Sequence, residues 1–159
     1  MKRNPIETAT EADFADLWRL ERECFDEERR ASRRSLRHSL RSPRQCVRLL
    51  RRTAGGPAVA SATLMLHPRT VRIYSVAVAP AAQGLGLGKA LVQDAVELAA
   101  AAGAAQVSLE VDALDAALVA WYERQGFARV QRLDDYYGPG RPALRMRRPL
   151  APAPASGRR

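Results

Sequence analysis

The sequence Tyr74-Ser-Val-Ala-Val-Ala-Pro80 continues as Ala81-Ala-Gln83-Gly-Leu-Gly-Leu-Gly-Lys89 and predicts a strand that leads into a glycine-rich turn. Strong helix formers follow from Gly86 to Ala102, and Gly103 is placed to end that helix. The first amides of a helix have no partners within it, and glycine lets a ligand approach the main chain closely. Phosphate groups bind at such helix starts. The stretch therefore predicts an anion-binding turn between a strand and a helix.

Apolar periodicity and turn residues on either side of this stretch indicate a mixed α/β protein. Predicted helices cover 12–25, 32–41, 86–102 and 115–125, and predicted strands cover 45–51, 58–66, 71–79, 106–112, 127–133 and 143–148. The strand–helix–strand order across 71–112 implies one parallel strand pair with antiparallel strands beside it. On the last helix, Leu114, Leu118 and Trp121 are predicted to face the core, with Tyr122 rotated about 100° away from Trp121.

The chain of 159 residues has the length of a single compact domain, which we assign to 1–150. The proline- and alanine-rich segment 151–159 is predicted to be a disordered basic tail. No apolar run of about 18 residues predicts a membrane span, and the N-terminus lacks the apolar region of a secretory signal. Cys24 and Cys46 are far apart and have no metal-ligand spacing, which favours reduced thiols, no metal site and a cytoplasmic location.

The formal net charge is +9, from 26 Lys and Arg against 17 Asp and Glu. A basic surface attracts RNA, anionic membranes or a phosphate-bearing cofactor. The lysines are Lys2 and Lys89, and such use of arginine in place of lysine is also what a GC-rich genome produces. Charge therefore does not decide the function, and we expect neither a membrane nor a nucleic acid as partner.

The glycine-rich turn departs from the two best-known phosphate-binding motifs. A Walker loop requires glycine where Gln83 stands and serine or threonine where Ala90 stands, and a Rossmann turn requires glycine where Lys89 stands. Three segments in order instead resemble the GNAT family of acetyltransferases: Gln83-Gly-Leu-Gly-Leu-Gly88, Leu109-Glu-Val111 and Trp121-Tyr-Glu-Arg-Gln-Gly-Phe127. Within that family they are most similar to the ribosomal-protein N-terminal alanine acetyltransferases. The resemblance implies a single-domain GNAT fold, with a mostly antiparallel sheet splayed at a central parallel strand pair and helices on both faces.

The resemblance also implies acetyl-CoA as cosubstrate, without a metal. Main-chain groups of Val76, Ala77 and Val78 would bind its pantetheine arm. Its pyrophosphate would be bound by the turn, namely Gln83, Gly84, Leu85, Gly86, Leu87, Gly88 and Lys89. Asp115 stands near the position of a cofactor-binding asparagine of the family, but it lacks an amide donor and is equally suited to cap the helix.

Two residues of these segments are candidates for the chemistry. Glu110 shares one strand face with Ser108 and Asp112, and the resemblance implies that it is the general base. The alternative is a structural glutamate paired with arginines. Tyr122 would be the general acid for the departing thiolate, and the alternative is a core tyrosine with a satisfied hydroxyl.

Acidic and aromatic residues in the last loop suggest where an acceptor binds. Asp134 could attract an ammonium group, and Tyr136 and Tyr137 could flank a peptide, although an ordinary solvated turn is an equal alternative. The sequence thus predicts acetyl transfer from acetyl-CoA to a primary amine by direct attack in a ternary complex. The expected acceptor is a protein or peptide N-terminus, since an α-amine loses its proton more easily than lysine does. The alternatives are a small amine, or a basic RNA-binding or regulatory module without turnover.

Overall fold

The computed structural model describes residues 5–152, which contain seven strands, four α-helices and two 3-10 turns. The strands are β1 (Glu7–Thr8), β2 (Gln45–Arg51), β3 (Ala58–Leu66), β4 (Thr70–Val78), β5 (Gln106–Asp112), β6 (Ala128–Leu133) and β7 (Ala143–Pro149). The helices are α1 (Phe14–Cys24), α2 (Arg33–Arg41), α3 (Leu87–Ala101) and α4 (Ala116–Arg124). Every predicted element is present, with boundaries within two residues of the prediction. Except for its first two residues, the predicted tail 151–159 lies outside the described residues.

The strands form one sheet in the order β1-β2-β3-β4-β5-β7-β6, so β7 lies between β5 and β6. Contacts between β4 and β5 rise together in residue number, as in a parallel pair: Gln106 Nε2 donates to Thr70 Oγ1, and Arg72 Nε donates to Glu110 Oε2. Strand β2 is antiparallel to both β1 and β3, and β7 is antiparallel to both β5 and β6. The predicted mixed sheet, mostly antiparallel with one parallel pair, is confirmed.

The described chain falls into two compact units. One consists of the chain up to Leu66 together with Ile73–Asp94, and the other consists of His67–Arg72 together with the chain from Ala95 onward. Strand β4 and helix α3 each contribute residues to both units.

The first unit has two apolar clusters. One buries Leu17, Leu36, Val47, Leu49 and small residues beside them, and the other buries Leu20 with Ala77, Ala79 and Ala82. Glycine forms the turn before β3, where Gly55 has a φ of +72° and a side chain on Gly56 would collide with Thr53. The predicted hairpin between β2 and β3 is confirmed by their antiparallel register.

A bidentate ion pair connects α3 to the sheet within the first unit. Arg48 Nε and Nη2 donate to the two carboxylate oxygens of Asp94, each at 2.8 Å, and both side chains are less than one-sixth exposed. Arg48 Nη1 also donates to Thr8 Oγ1 at 2.6 Å, which ties the short strand β1 to the same group. Paired, partly buried charges of this geometry are much stronger than surface ion pairs.

In the second unit, the prediction of which face of helix α4 is buried is wrong. Leu114 is 67% exposed and Leu118 is 37% exposed, whereas Val119 and Tyr122 are the buried residues of α4. Leu114 precedes the helix, which begins only after Asp115. The Tyr122 ring packs edge-on against Phe127, with 5.8 Å between centroids, and thereby joins the core.

Both cysteines are free, as predicted, and both are half-buried. Burial raises the pKa of the Cys24 and Cys46 thiols, which keeps them protonated and unreactive near neutral pH. Among residues 5–152, no helix is both long and apolar enough to cross a membrane.

Replacing Asp94 with alanine is expected to lower the free energy of unfolding by about 2–3 kcal/mol, because the Arg48 guanidinium is left partly buried without its partner. Urea denaturation measures the loss. The control is Glu123→Ala, which removes an exposed partner of Arg129 and should change stability by less than about 0.5 kcal/mol. Equal losses in the two variants would contradict the importance of the Arg48–Asp94 pair.

Candidate active site

The glycine-rich turn after β4 is exposed and has a main-chain shape that favours glycine. Gly84 and Gly86 have φ values of +80° and +75°, in the left-handed region that residues with a Cβ rarely adopt. No atom outside the adjacent residues lies within 4 Å of the position that a Cβ on Gly84 would take. The surface of this turn is therefore open main chain that a ligand can approach closely.

The start of α3 supplies donors to this turn. Ala90 N–H donates to Gly86 O at 3.1 Å, the first main-chain bond of the helix. The amides of Leu87, Gly88 and Lys89 precede that bond, and amides at this position are left for a ligand. The Lys89 side chain is exposed and adds a positive charge. Open glycine surface, helix-start amides and a cation are the groups that a diphosphate requires, so the turn fits the pyrophosphate of coenzyme A.

The end of β4 carries the three residues that were predicted to bind the pantetheine arm. Ala77 is buried, whereas Val76 and Val78 are half-buried. Gln83 folds back so that its Nε2 donates to Val78 O at 3.4 Å, a long hydrogen bond. A ligand that needed this carbonyl would displace a weak interaction only.

In the second unit, the Glu110 carboxylate lies between two arginines from neighbouring strands. Arg72 Nε on β4 donates to Glu110 Oε2 at 2.8 Å, and Arg145 Nε on β7 donates to Glu110 Oε1 at 3.0 Å. The Glu110 side chain is only 7% exposed. The pairing that the sequence offered as an alternative to catalysis is therefore present. It does not exclude a role as base, because a carboxylate has about four acceptor positions and two of them are used here.

Glu110 lines an open depression of about 360 Å³, which we call the Glu110 depression. Its wall includes Glu110, Tyr136, His67, Arg72, Arg145 and Arg147. Arg72 Nη2 also donates to the Tyr136 hydroxyl at 2.9 Å, which holds this tyrosine of the last loop against the depression. Among the predicted acceptor-binding residues, Tyr136 thus shares a cavity with Glu110.

Tyr122 is 9% exposed, and burial, with a smaller effect of Tyr137, raises its pKa to about 12. The phenol therefore keeps its proton at neutral pH. Its hydroxyl makes no hydrogen bond with any residue between 5 and 152, so it is not the satisfied core tyrosine that the sequence offered as an alternative. A protonated hydroxyl on a nearly buried ring, without a hydrogen-bond partner among residues 5–152, is a donor available to a ligand.

The other predicted residues of this unit have ordinary structural contacts. Asp115 caps α4, since its Oδ1 accepts a hydrogen bond from Leu118 N at 3.0 Å. Asp134 is exposed and pairs with Arg132, while the Tyr136 and Tyr137 rings contact edge-on with centroids 4.9 Å apart. The capping role of Asp115 is thus present, and its role toward a cofactor stays a prediction.

Arg72 and Arg145 contact the candidate base but were not identified from the sequence. Alternate residues of a strand point to the same face of the sheet, so residues on that face of a neighbouring strand can contact Glu110. This alternation could have identified the two arginines. In the register of β5 and β7, Glu110 is directly opposite Arg145. That register depends on β7 lying beside β5, which the order of elements along the chain does not reveal.

A model of the acetyltransferase (GNAT) family matches residues 14–127 of this chain. Over 73 residues the chain is 45% identical to a mycothiol acetyltransferase of Paenarthrobacter aurescens, a match that covers 46% of this chain and 22% of that protein. The chain spans about a fifth of the length of the curated relatives it matches.

Solved structures share the fold over almost the whole chain. The ribosomal-protein-S18-alanine N-acetyltransferase of Escherichia coli has a TM-score of 0.84 at 24% identity, covering 97% of this chain and 98% of that one. A chain of the NatC complex bound to Gag peptide and CoA has a TM-score of 0.74 at 22% identity, covering 93% of this chain and 100% of that one. At these identities the likeness is one of fold.

Replacing Gly86 with glutamate is expected to weaken the binding of coenzyme A about 100-fold or more, because it places negative charge and bulk at the predicted diphosphate position. Isothermal titration calorimetry measures the affinity.

The matched control is Gly55→Glu. Like Gly86, Gly55 has a positive φ; it has open space around it and lies in the β2–β3 turn. Both variants should lose similar stability, and only Gly86→Glu should lose affinity. Equal affinity in the two variants would refute the assignment of the turn.

Proposed function

The chain belongs to the acetyltransferase (GNAT) family, and from this we propose that it transfers the acetyl group of acetyl-CoA to the N-terminal α-amine of a protein or peptide. The observation that carries the proposal is the Glu110 carboxylate, held at both oxygens by Arg72 and Arg145 and lining an open depression. A base for an amine must be fixed in place and reachable, and Glu110 meets both conditions.

The groups of the glycine turn would hold the cosubstrate. Acetyl-CoA, when bound, supplies the thioester carbonyl that the amine attacks. The amides of Leu87, Gly88 and Lys89, with the Lys89 ammonium, would hold the diphosphate, and main-chain groups of Val76 to Val78 would hold the arm that leads to the thioester.

The proton balance of the proposed reaction gives one role to each of the two candidate residues, Glu110 and Tyr122. A new N–C bond forms and the C–S bond breaks, so the amine gives up a proton and the departing sulfur takes one. Glu110 would receive the proton of the amine, directly or through a water molecule. Tyr122 would hold the proton that the sulfur needs, because its raised pKa keeps the phenol protonated throughout the neutral range.

The α-amine is favoured over a lysine side chain by the ease of deprotonation. The two amines differ by about 2.5 pKa units, which is about 3.5 kcal/mol at a fixed pH. A carboxylate is a weak base, so the acceptor that loses its proton more easily suits Glu110 better. The shared fold with an N-acetyltransferase of a ribosomal-protein alanine supports the same acceptor class.

A small-molecule amine is the second candidate acceptor. It is favoured by the 45% identity to a mycothiol acetyltransferase over 73 residues. A panel of peptides with free N-termini, peptides with only a lysine amine, and small amines, assayed by thiol release from acetyl-CoA, separates the two candidates. Turnover of small amines alone would overturn the N-terminal proposal, and salt-sensitive RNA binding without any turnover would instead indicate the non-catalytic module.

Replacing Glu110 with glutamine is expected to lower kcat/KM for an N-terminal peptide about 100-fold at pH 7. The loss should shrink as the pH rises toward 8 and above, because the free amine then loses its proton to solvent. Steady-state pH profiles measure this, with coenzyme A affinity as the control for folding. A loss that is the same at every pH would indicate a purely structural role for Glu110.

Replacing Tyr122 with phenylalanine is expected to lower kcat about 100-fold while leaving KM and stability nearly unchanged, since the hydroxyl has no partner to lose among residues 5–152. In the unmodified protein, a phenol with a pKa of about 12 stays protonated up to pH 10, so this residue should cause no alkaline loss of activity between pH 8 and 10. An unchanged kcat in Tyr122→Phe would remove the residue from the mechanism.

A further inference from the structure

The Glu110 depression carries an excess of positive charge. Three guanidinium groups line it, from Arg72, Arg145 and Arg147, and Glu110 is the acidic residue in its wall. Arg72 and Arg145 share the single charge of Glu110 between them. The depression therefore keeps positive charge that its own acid does not balance.

Arg147 differs from the other two arginines, which pair with Glu110. Its Nε is buried and has no hydrogen-bond partner among residues 5–152, while its side chain contributes to the wall of the depression. A buried donor without an acceptor is destabilising, and an anion that reached this guanidinium would reduce that penalty. The wall that contains the candidate base thus also contains a guanidinium whose Nε has no acceptor among the described residues.

The sheet register sets the spacing between the backbone positions of Glu110 and Arg147. On the paired strands β5 and β7, Arg145 is opposite Glu110, and Arg147 is opposite Ser108. Two residues along a strand span about 7 Å, and alternate residues point to the same face. An extended peptide covers the same distance in about two residues.

We propose that the Glu110 depression selects acceptors that carry a carboxylate two residues or so from the reacting amine. The acceptor is an N-terminal peptide with an acidic second or third residue, whose carboxylate binds Arg147 while its α-amine lies at Glu110. This inference rests on the proposed function, which places the amine at Glu110. The inference specifies the sequence of the acceptor, which neither the glycine turn nor Glu110 and Tyr122 would select.

The same charges oppose the other acceptors under consideration. A polyamine or an aminoglycoside would bring several ammonium groups close to three guanidinium groups. A peptide with lysine or arginine at its second residue meets the same repulsion. An acidic peptide keeps one ammonium for Glu110 and adds an anion for Arg147.

The test compares three peptides that share an N-terminal alanine and differ at the second and third residues, which are Glu-Glu, Gln-Gln or Lys-Lys. Thiol release gives kcat/KM, and calorimetry on the full chain saturated with coenzyme A gives the peptide affinity. We expect the Glu-Glu peptide to exceed the Lys-Lys peptide about 10-fold or more in both measurements at 50 mM salt. The preference should shrink at 0.5 M salt.

Arg147→Gln should reduce the preference below about 2-fold and leave the Gln-Gln peptide nearly unaffected, while Arg147→Lys should keep part of it. The control is Arg129→Gln, which removes the same charge from an exposed arginine that pairs with Glu123, and it should leave the preference unchanged.

The outcomes separate this inference from the proposed function. Turnover without preference for the acidic peptide, or with preference for the basic one, overturns the inference and leaves the proposed function standing. Preferential binding of the acidic peptide without any turnover supports the inference and defeats the proposed function. Failure to bind or acetylate any of the three peptides overturns the inference as well.

Discussion

The carboxylate of Glu110 is nearly buried and receives one hydrogen bond on each oxygen from a guanidinium group. A charge in such a position is tolerated only when it is paired, because desolvation of an isolated carboxylate is destabilising by several kcal/mol. A charged carboxylate at this position of β5 therefore requires the two arginines that pair with it. They come from β4 and β7, the strands on either side, so the arrangement requires β7 to lie beside β5.

The two proposed roles, cosubstrate binding and proton transfer, depend on different kinds of groups. The glycine turn would bind its ligand through main-chain amides, and its shape requires positive φ values at Gly84 and Gly86. The proposed chemistry would depend instead on two side chains, Glu110 and Tyr122, which regular elements hold in place. A strand and a helix restrict a side chain more tightly than a loop does, which suits groups that must donate or accept a proton at one atom.

This difference explains how much the sequence could predict. Glycine and proline mark element boundaries, so these were predicted closely, and the turn was identified from its glycines. The buried face of the short helix α4 was harder to predict, because a helix of nine residues allows more than one apolar face. The buried face contains Tyr122 rather than Leu118. Arg72 and Arg145 were not identified, since their contacts with Glu110 depend on which strands are neighbours in the sheet and on their register, and not on spacing along the chain.

The positions of the arginines in the structure explain part of the net charge of +9. Arg48 pairs with Asp94, Arg51 with Asp13, and Arg72 and Arg145 with Glu110, so these arginines stabilise buried or half-buried acids. The charges of Arg48 and Arg51 are balanced by acids beside them and give no indication of a polyanionic partner, whereas Arg72 and Arg145 share the single charge of Glu110. The local charge around the candidate base bears more directly on the proposed function than the net charge does. Arg72 and Arg145 stabilise the Glu110 carboxylate, and Arg147, in the same wall, is the group to which we assign the selection among acceptors. Since all three groups are cations, the pairing that allows a buried base would also oppose acceptors with additional ammonium groups.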